Sequence, residues 1–303
     1  MIEYIIVTNY LGDSLKLELA RPEKSGFIVQ SIDGLGPPKA NINMTDNATS
    51  DGSSYNSGKA DKRNIVLKLL FEQYGSETIE DARQKSYKYF PIKKPVTLTI
   101  KSDNRICETA GYVESNTPDI FSKKSGCQIS IVCPDPYLYS DEVMTTVFYG
   151  IEPNFEFPFE NNSLSENLIE FGIITNKTEN FIFYDGDSDV GITIVMHAVG
   201  DATNVTIHNT GTREKMKIDT TKLAALTGHS IINGDDIVIT TNKNYKSIYL
   251  TREGITTNIL NCIDRDSDWF TLSKGDNLFA YVAETGASNL QFRILNRVIY
   301  EGV

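Results

Sequence analysis

A run of alternating apolar residues ends here on a pair of prolines. Residues 126–140 read Gly-Cys-Gln-Ile-Ser-Ile-Val-Cys-Pro-Asp-Pro-Tyr-Leu-Tyr-Ser. Cys127, Ile129, Ile131 and Cys133 occupy one side of a period-two pattern, which predicts a strand with one more apolar face. Pro134 and Pro136 fix φ, remove two amide donors and push Cys133 and Asp135 toward extended backbone, so neither a ladder nor a helix runs through them. The chain changes character at this point, and the competing reading is an ordinary loop inside one domain. We place a domain boundary here, with Cys133, Pro134, Asp135 and Pro136 as the interdomain hinge, residues 1–138 as one domain and 139–303 as a second.

Two domains suit a chain of 303 residues. All of the net charge of −11 lies after residue 138. An acidic second half argues against a nucleic-acid partner, because phosphate binding needs basic density. No apolar run is long enough to span a membrane, and Met1–Val7 lacks the basic start of a signal peptide. The expectation is a protein made in a cytoplasm and not exported by the general secretion route. Cys107, Cys127, Cys133 and Cys262 show no metal-type spacing. Cys127 and Cys133 sit about 20 Å apart on a regular strand, too far to bridge, so structural thiols are expected.

The first half reads as strands with one helix. Tyr4–Val7 is apolar, and Leu15, Leu17 and Leu19 alternate with Lys16 and Glu18. Another strand starts at Gly26–Val29 and leads to Ile32-Asp33-Gly34-Leu35-Gly36-Pro37-Pro38, whose glycines and prolines predict a sharp corner. Residues 41–62 are dominated by Asn, Ser, Thr, Asp and Gly, with Met44 and Tyr55 nearly alone as large apolar groups. So long a polar connection is uncommon inside a compact domain. It reads as a mobile segment or as an arm ordered by a neighbouring molecule, with Asn41, Met44, Tyr55 and Arg63 as candidate inter-subunit contacts. Ile65–Phe71 follows as the strongest strand. A helix is predicted over 76–90, capped by Ser76, acidic at Glu77, Glu80 and Asp81, basic at Arg83, Lys85 and Lys88, and closed by Pro91. Its buried face is Ile79, Ala82, Ser86 and Tyr89/Phe90. Val96–Ile100 and Arg105–Val113 complete this half.

Beyond Pro136 the pattern is almost wholly β. Short strands at regular spacing, broken by Gly, Asn and Asp, argue for a sandwich. Glu152–Asn161 is an extended aromatic stretch with Phe155, Phe157 and Phe159 on alternate positions, and Ile169–Thr175 is a further strand. Leu223–Leu226 reads as a single helical turn.

The chemistry-bearing motifs are few. Asp185-Gly186-Asp187-Ser188-Asp189 opens like a calcium loop, but Val190 replaces the glycine that such a loop needs and Met196 its bidentate glutamate. A hairpin turn between Phe181–Tyr184 and Ile192–Met196 is the expectation there. His197, His208 and His229 lack zinc-type pairing, and Asp264, Asp266 and Asp268 read as a polar turn. No catalytic constellation, metal site or cofactor site emerges, and no enzyme is expected. Trp269, the only tryptophan, is a candidate for stacking on a sugar ring or, more ordinarily, a core or interface aromatic.

An ordered set of short stretches resembles the distal tail (Dit-like) proteins of siphophages infecting Gram-positive bacteria. In the first half these are Gly26–Val29 with Ile32–Gly36, Lys62–Leu67, Gly111–Ser115, Ile120-Phe121-Ser122 and Gln128–Ser140. In the second they are Gly186-Asp187, Gly191–Ile194, Gly234–Ile239 and Leu272–Asn277. The resemblance implies a mainly β protein: an N-terminal β-barrel or sandwich with one helix, and a galectin-like C-terminal β-sandwich. It further implies a homo-hexameric ring at the tip of a virion tail. Such a ring joins the tail tube protein to a tail fibre, tail-associated lysin or receptor-binding protein, with no cofactor, membrane or sequence-specific nucleic acid. Residues 41–62 would then be an arm ordered by the next subunit. A carbohydrate-binding adhesion module, resting on the sandwich and Trp269, is the alternative.

Overall fold

A computed structural model describes residues 1–73, 78–121, 125–153 and 172–303. Of the sequence expectations, Ser76 and Glu77 of the helix start, Ser122, the aromatic stretch after Pro153 and Ile169–Phe171 lie outside these residues. The chain forms two compact units, Met1–Glu142 with Ile299–Val303, and Val143–Val298.

The first unit contains β1 (Ile2–Asn9), β2 (Ser14–Glu18), β3 (Phe27–Asp33), β4 (Ala40–Asp46), β5 (Ser53–Ala60), β6 (Arg63–Phe71), α1 (Ile79–Tyr89), β7 (Pro95–Ser102), β8 (Ile106–Pro118), β9 (Gly126–Cys133) and β10 (Leu138–Ser140). Its main sheet runs β2-β1-β7-β8-β9-β6-β3, antiparallel throughout. Period two is obeyed closely: β6 buries Arg63, Ile65, Leu67, Leu69 and Phe71 and turns the residues between them outward. The path ends at β2 and β3 without hydrogen bonds between them, so the sheet is open and the barrel alternative does not hold. Helix α1 lays Ala82 and Ser86 on the core, with Ile79, Tyr89 and the following Phe90 beside them. Its cap is Thr78, whose hydroxyl accepts from the Asp81 amide while the Asp81 carboxylate accepts from the Thr78 amide.

The second unit contains β11 (Met144–Val147), β12 (Tyr149–Pro153), β13 (Gly172–Asn176), β14 (Glu179–Tyr184), β15 (Val190–Gly191), β16 (Thr193–Ala198), β17 (Thr206–Asn209), β18 (Glu214–Lys217), α2 (Thr220–Thr227), β19 (Asp236–Thr240), β20 (Ser247–Arg252), β21 (Ile255–Asn258), β22 (Thr271–Leu272), β23 (Gly275–Val282) and β24 (Leu290–Asn296). A six-stranded sheet, β11-β24-β16-β19-β20-β21, and a four-stranded sheet, β14-β23-β17-β18, carry most of it. Their inner faces meet: Tyr281 of β23 stacks on Phe292 of β24 with ring centroids 4.0 Å apart. This is the sandwich that the strand spacing predicts. Two local expectations fail. The segment 185–189 is no hairpin, because β14 joins the four-stranded sheet and β16 the six-stranded one. The predicted single turn at 223–226 is a two-turn helix, because the Asp219 carboxylate accepts from the amides of Thr221 and Lys222 and Gly228 ends it at φ 88°.

The last strand, β25 (Ile299–Tyr300), returns to the first unit and pairs with β10. The division therefore falls after Glu142 and again before Ile299, not at 138. Cys133, Pro134, Asp135 and Pro136 sit inside the first unit, because β10 pairs with β8 and keeps the chain there. Arg63 fixes this arrangement. Only 3% exposed, it donates from Nε to the Pro136 carbonyl (2.7 Å), from Nη1 to those of Gly34 (2.6 Å) and Gly36 (2.7 Å), and from Nη2 to that of Glu301 (2.7 Å). Gly34 is obligatory in this corner: its φ is +88°, and a Cβ there would lie 2.0 Å from the Asn64 carbonyl oxygen.

Two substitutions test these anchors. Arg63→Met leaves several carbonyls without donors, so urea unfolding followed by circular dichroism should show a loss of about 3 kcal/mol or more, with faster amide exchange at Val303. In the second unit, Asp235→Ala strands Arg252, whose Nε and Nη2 are held by Asp235 Oδ1 (2.8 Å) and Oδ2 (2.6 Å). Because Asp235 is buried, that loss should also be about 3 kcal/mol, read from Trp269 fluorescence.

Candidate functional site

The segment predicted as a polar connection is a two-stranded hairpin. Strands β4 and β5 pair from Ala40↔Ala60 to Asp46↔Ser53, with an irregularity between Asn43 and Met44. Low β-propensity is offset by side-chain bonds across the ladder. Asn43 Nδ2 donates to Ser57 Oγ (3.0 Å), Asn56 Nδ2 to Thr45 Oγ1 (2.6 Å) and Ser53 Oγ to Asp46 Oδ1 (2.8 Å). The turn closes through the Asn47 amide on the Gly52 carbonyl. Ile42, Met44 and Tyr55 share one face, Met44 directly across from Tyr55, with the Asp46–Ser53 pair on the same face nearer the turn. Met44 is 59% and Tyr55 66% exposed.

Among the described residues neither β4 nor β5 pairs with any other strand, so both edges of the hairpin keep unpaired backbone groups. A lone two-stranded hairpin is marginal in water. The exposed apolar stripe and open edges together make it the principal candidate for association. Of the four arm residues expected from sequence, Asn41, Met44 and Tyr55 lie on it. Arg63 does not: its donors are consumed inside the first unit, and burial lowers its pKa.

The remaining candidates stay apart. His197 Nδ1 lies 2.8 Å from Asp236 Oδ1 across β16 and β19, a half-buried cross-strand pair. His208 sits on β17 opposite Lys215, and His229 follows α2. The aspartate-rich loop serves the backbone: Asp264 and Asp268 amides donate to Lys217 and Lys215 carbonyls, while Asp268 Oδ2 accepts from the Lys215 amide. Trp269 is half-buried, and the Lys246 ammonium stands 5.2 Å from its ring centroid, occupying a face that a sugar would need. Among the described residues, no group of three or more His, Cys, Asp or Glu is placed to hold a metal, and no helix is long and apolar enough to cross a membrane.

All four thiols are free and buried. Burial raises the pKa of each, that of Cys127 to about 12. A thiol-reactive dye should therefore leave the native protein unlabelled for hours at neutral pH and modify all four cysteines once urea unfolds it.

An open antiparallel sheet with one capped helix, followed by a sandwich whose last strand returns to the first unit, defines the class: a two-unit, mainly β protein. No family description and no curated protein matches the sequence. Solved structures do match in fold. The SPP1 Dit (gp 19.1) protein, described as a paradigm of hub adsorption apparatus in Gram-positive-infecting phages, aligns over 97% of this chain and 98% of its own at a TM-score of 0.63 and 13% identity. A chain of the phage P2 baseplate in its activated conformation with Ca aligns over 98% of each chain (0.51, 11%), and one from the phage p2 baseplate with Sr does likewise (0.50, 12%). The chain has the Dit fold over nearly its whole length.

Proposed function

We propose that this protein is a structural hub of a phage or phage-like tail tip, acting by assembly and not by catalysis. The observation carrying the reading is the full-length correspondence, in chain order and through both units, with the SPP1 Dit hub fold. In this reading the first unit self-associates into a homo-hexameric ring at the end of the tail tube. The second unit, a galectin-like sandwich, faces a tail fibre, lysin or receptor-binding protein. The β4–β5 hairpin supplies the contact between neighbouring subunits. Its apolar stripe of Ile42, Met44 and Tyr55 is covered by the next copy, and its open edges take up that copy's backbone groups. The site of action is then the virion tail tip. The carbohydrate-adhesion alternative has less support, since Lys246 stands over Trp269.

Light scattering with negative-stain imaging tests this. The expected result is a six-fold ring with a central channel, and a fall to monomer mass for the double variant Met44→Ser, Tyr55→Ser. Because both side chains are exposed, that variant should unfold within about 0.5 kcal/mol of the parent. A ring that forms equally well in the variant removes the hairpin from the contact. A parent that stays monomeric at every concentration, with and without a tail tube protein, removes the hub reading.

A further inference from the structure

We infer that the β4–β5 hairpin is steered from the two connections to the second unit, with Arg63 and residues 299–303 as the coupling. This deepens the hub reading, in which the hairpin is the contact between copies, but the coupling itself belongs to a single chain.

The sequence ties the hairpin to the first unit by two short legs. Gly34-Leu35-Gly36-Pro37-Pro38-Lys39 leads into β4, and Asp61-Lys62 leads from β5 to Arg63, the first residue of β6. The Asp61 amide closes the root on the Lys39 carbonyl at 2.9 Å. Pro37 and Pro38 fix φ, so the first leg passes on a turn of Gly36 instead of absorbing it. Every residue of β4 is exposed, and neither hairpin strand pairs with a third among the described residues, so the direction of the hairpin is set at its root. At a rise of about 3.3 Å per residue, β4 carries the tip about 20 Å away, and a turn of about 10° at the root moves it about 3 to 4 Å.

Both legs and both connections meet at one guanidinium. Arg63 itself belongs to the second leg. Its Nη1 holds the Gly34 and Gly36 carbonyls of the first leg, its Nε the carbonyl of Pro136 on the outgoing connection, and its Nη2 that of Glu301 on the returning one. The returning segment also touches the first leg directly. The Val303 amide donates to the Leu35 carbonyl at 3.1 Å, and a Cβ on Gly302 would lie 3.2 Å from that oxygen.

The coupling follows from the shape of the fork. It is planar and buried, so withdrawing Glu301 leaves a donor unpaired unless the whole group turns. Turning it moves Gly34 and Gly36, and the hairpin with them. A displacement of either connection is thereby delivered to Met44 and Tyr55. The effect is reciprocal: a hairpin held by a neighbouring copy tightens the docking of residues 299–303. Arg105 grips that segment without bonding to either leg. Its guanidinium stands 4.4 Å from the Tyr300 ring centroid, and its Nη1 donates to the Gly302 carbonyl at 3.3 Å.

The test is amide exchange followed by NMR on the dilute, isotope-labelled full chain, comparing the parent with Arg105→Gln and Gly302→Val. Arg105→Gln loosens the segment and leaves both legs unaltered, whereas Gly302→Val wedges it off Leu35. In both variants exchange at the Val303 amide should rise about ten-fold, and at Asp61 and across the hairpin by a similar factor, while the β1–β7 ladder keeps the parent's rates. Val303 unmoved in both variants, or opened with Asp61 unchanged, overturns the coupling. So does a rise shared equally by the β1–β7 ladder, which makes the segment a general support of the unit. At higher concentration both variants should associate about ten-fold more weakly than the parent, with Met44 and Tyr55 intact. Exchange is read on the single chain, so if it behaves as expected while the parent never associates, the coupling stands and only the hub reading falls.

Discussion

The first unit depends on one buried cation that has no carboxylate partner among its hydrogen bonds. Arg63 begins β6, yet its guanidinium is spent on carbonyls of Gly34, Gly36, Pro136 and Glu301, three stretches far apart in the chain. Burying a charge is costly unless it is fully hydrogen-bonded. The direction of its pKa shift records that cost: burial lowers it, and only the more distant Cys133 and Asp135 oppose. A planar fork with donors on three nitrogens reaches carbonyls in divergent directions, which a lysine ammonium cannot do. The chain both leaves and re-enters the first unit beside this group. Pro136 precedes β10, Glu301 follows β25, and the two strands are paired.

The second unit solves the same problem with an ion pair. Asp235 accepts both from Arg252 and from the Ile232 amide, and Arg252 Nη2 also reaches the Ser230 carbonyl at 2.6 Å. In each unit an arginine sews irregular backbone to the end of a strand, so the turns are as determined as the ladders. The stretches that carry the Dit resemblance include Ile32–Gly36, Lys62–Leu67, Gln128–Ser140 and Gly234–Ile239. They hold three of Arg63's acceptors (Gly34, Gly36 and Pro136) together with Arg63 and Asp235 themselves, which gives that resemblance a physical content.

Sequence periodicity makes the ladders legible and leaves their pairing obscure. Strands β6, β9 and β16 follow directly from alternate burial, and the core face of α1 follows from its spacing. Local signals that were present but passed over are Thr78 with Asp81, a capping box, and Asp219 with Gly228, which bound α2. What no window reveals is non-local. That Tyr184 and Thr193 belong to different sheets is decided by β23, β19 and β24, and that Pro136 lies within a unit is decided by residues at the opposite end of the chain. The hairpin escaped for another reason. Its stability comes from Asn, Ser and Thr bonding across the strands, in a composition that propensity assigns to loops.

Edges are where assembly is written into such a protein. A sheet edge offers unpaired donors and acceptors to any passing strand, so each is either covered or made selective. Here β10 is covered by β25 and β18 by the loop at 264–268. At β14 the Asn180 side chain takes the outward Phe181 amide and bridges to the Val147 carbonyl of β11, whereas both edges of the hairpin are left unpaired among the described residues. On the hairpin, Ile42, Met44 and Tyr55 form a short exposed apolar stripe alongside polar cross-strand pairs, so unpaired backbone and uncovered apolar surface coincide there.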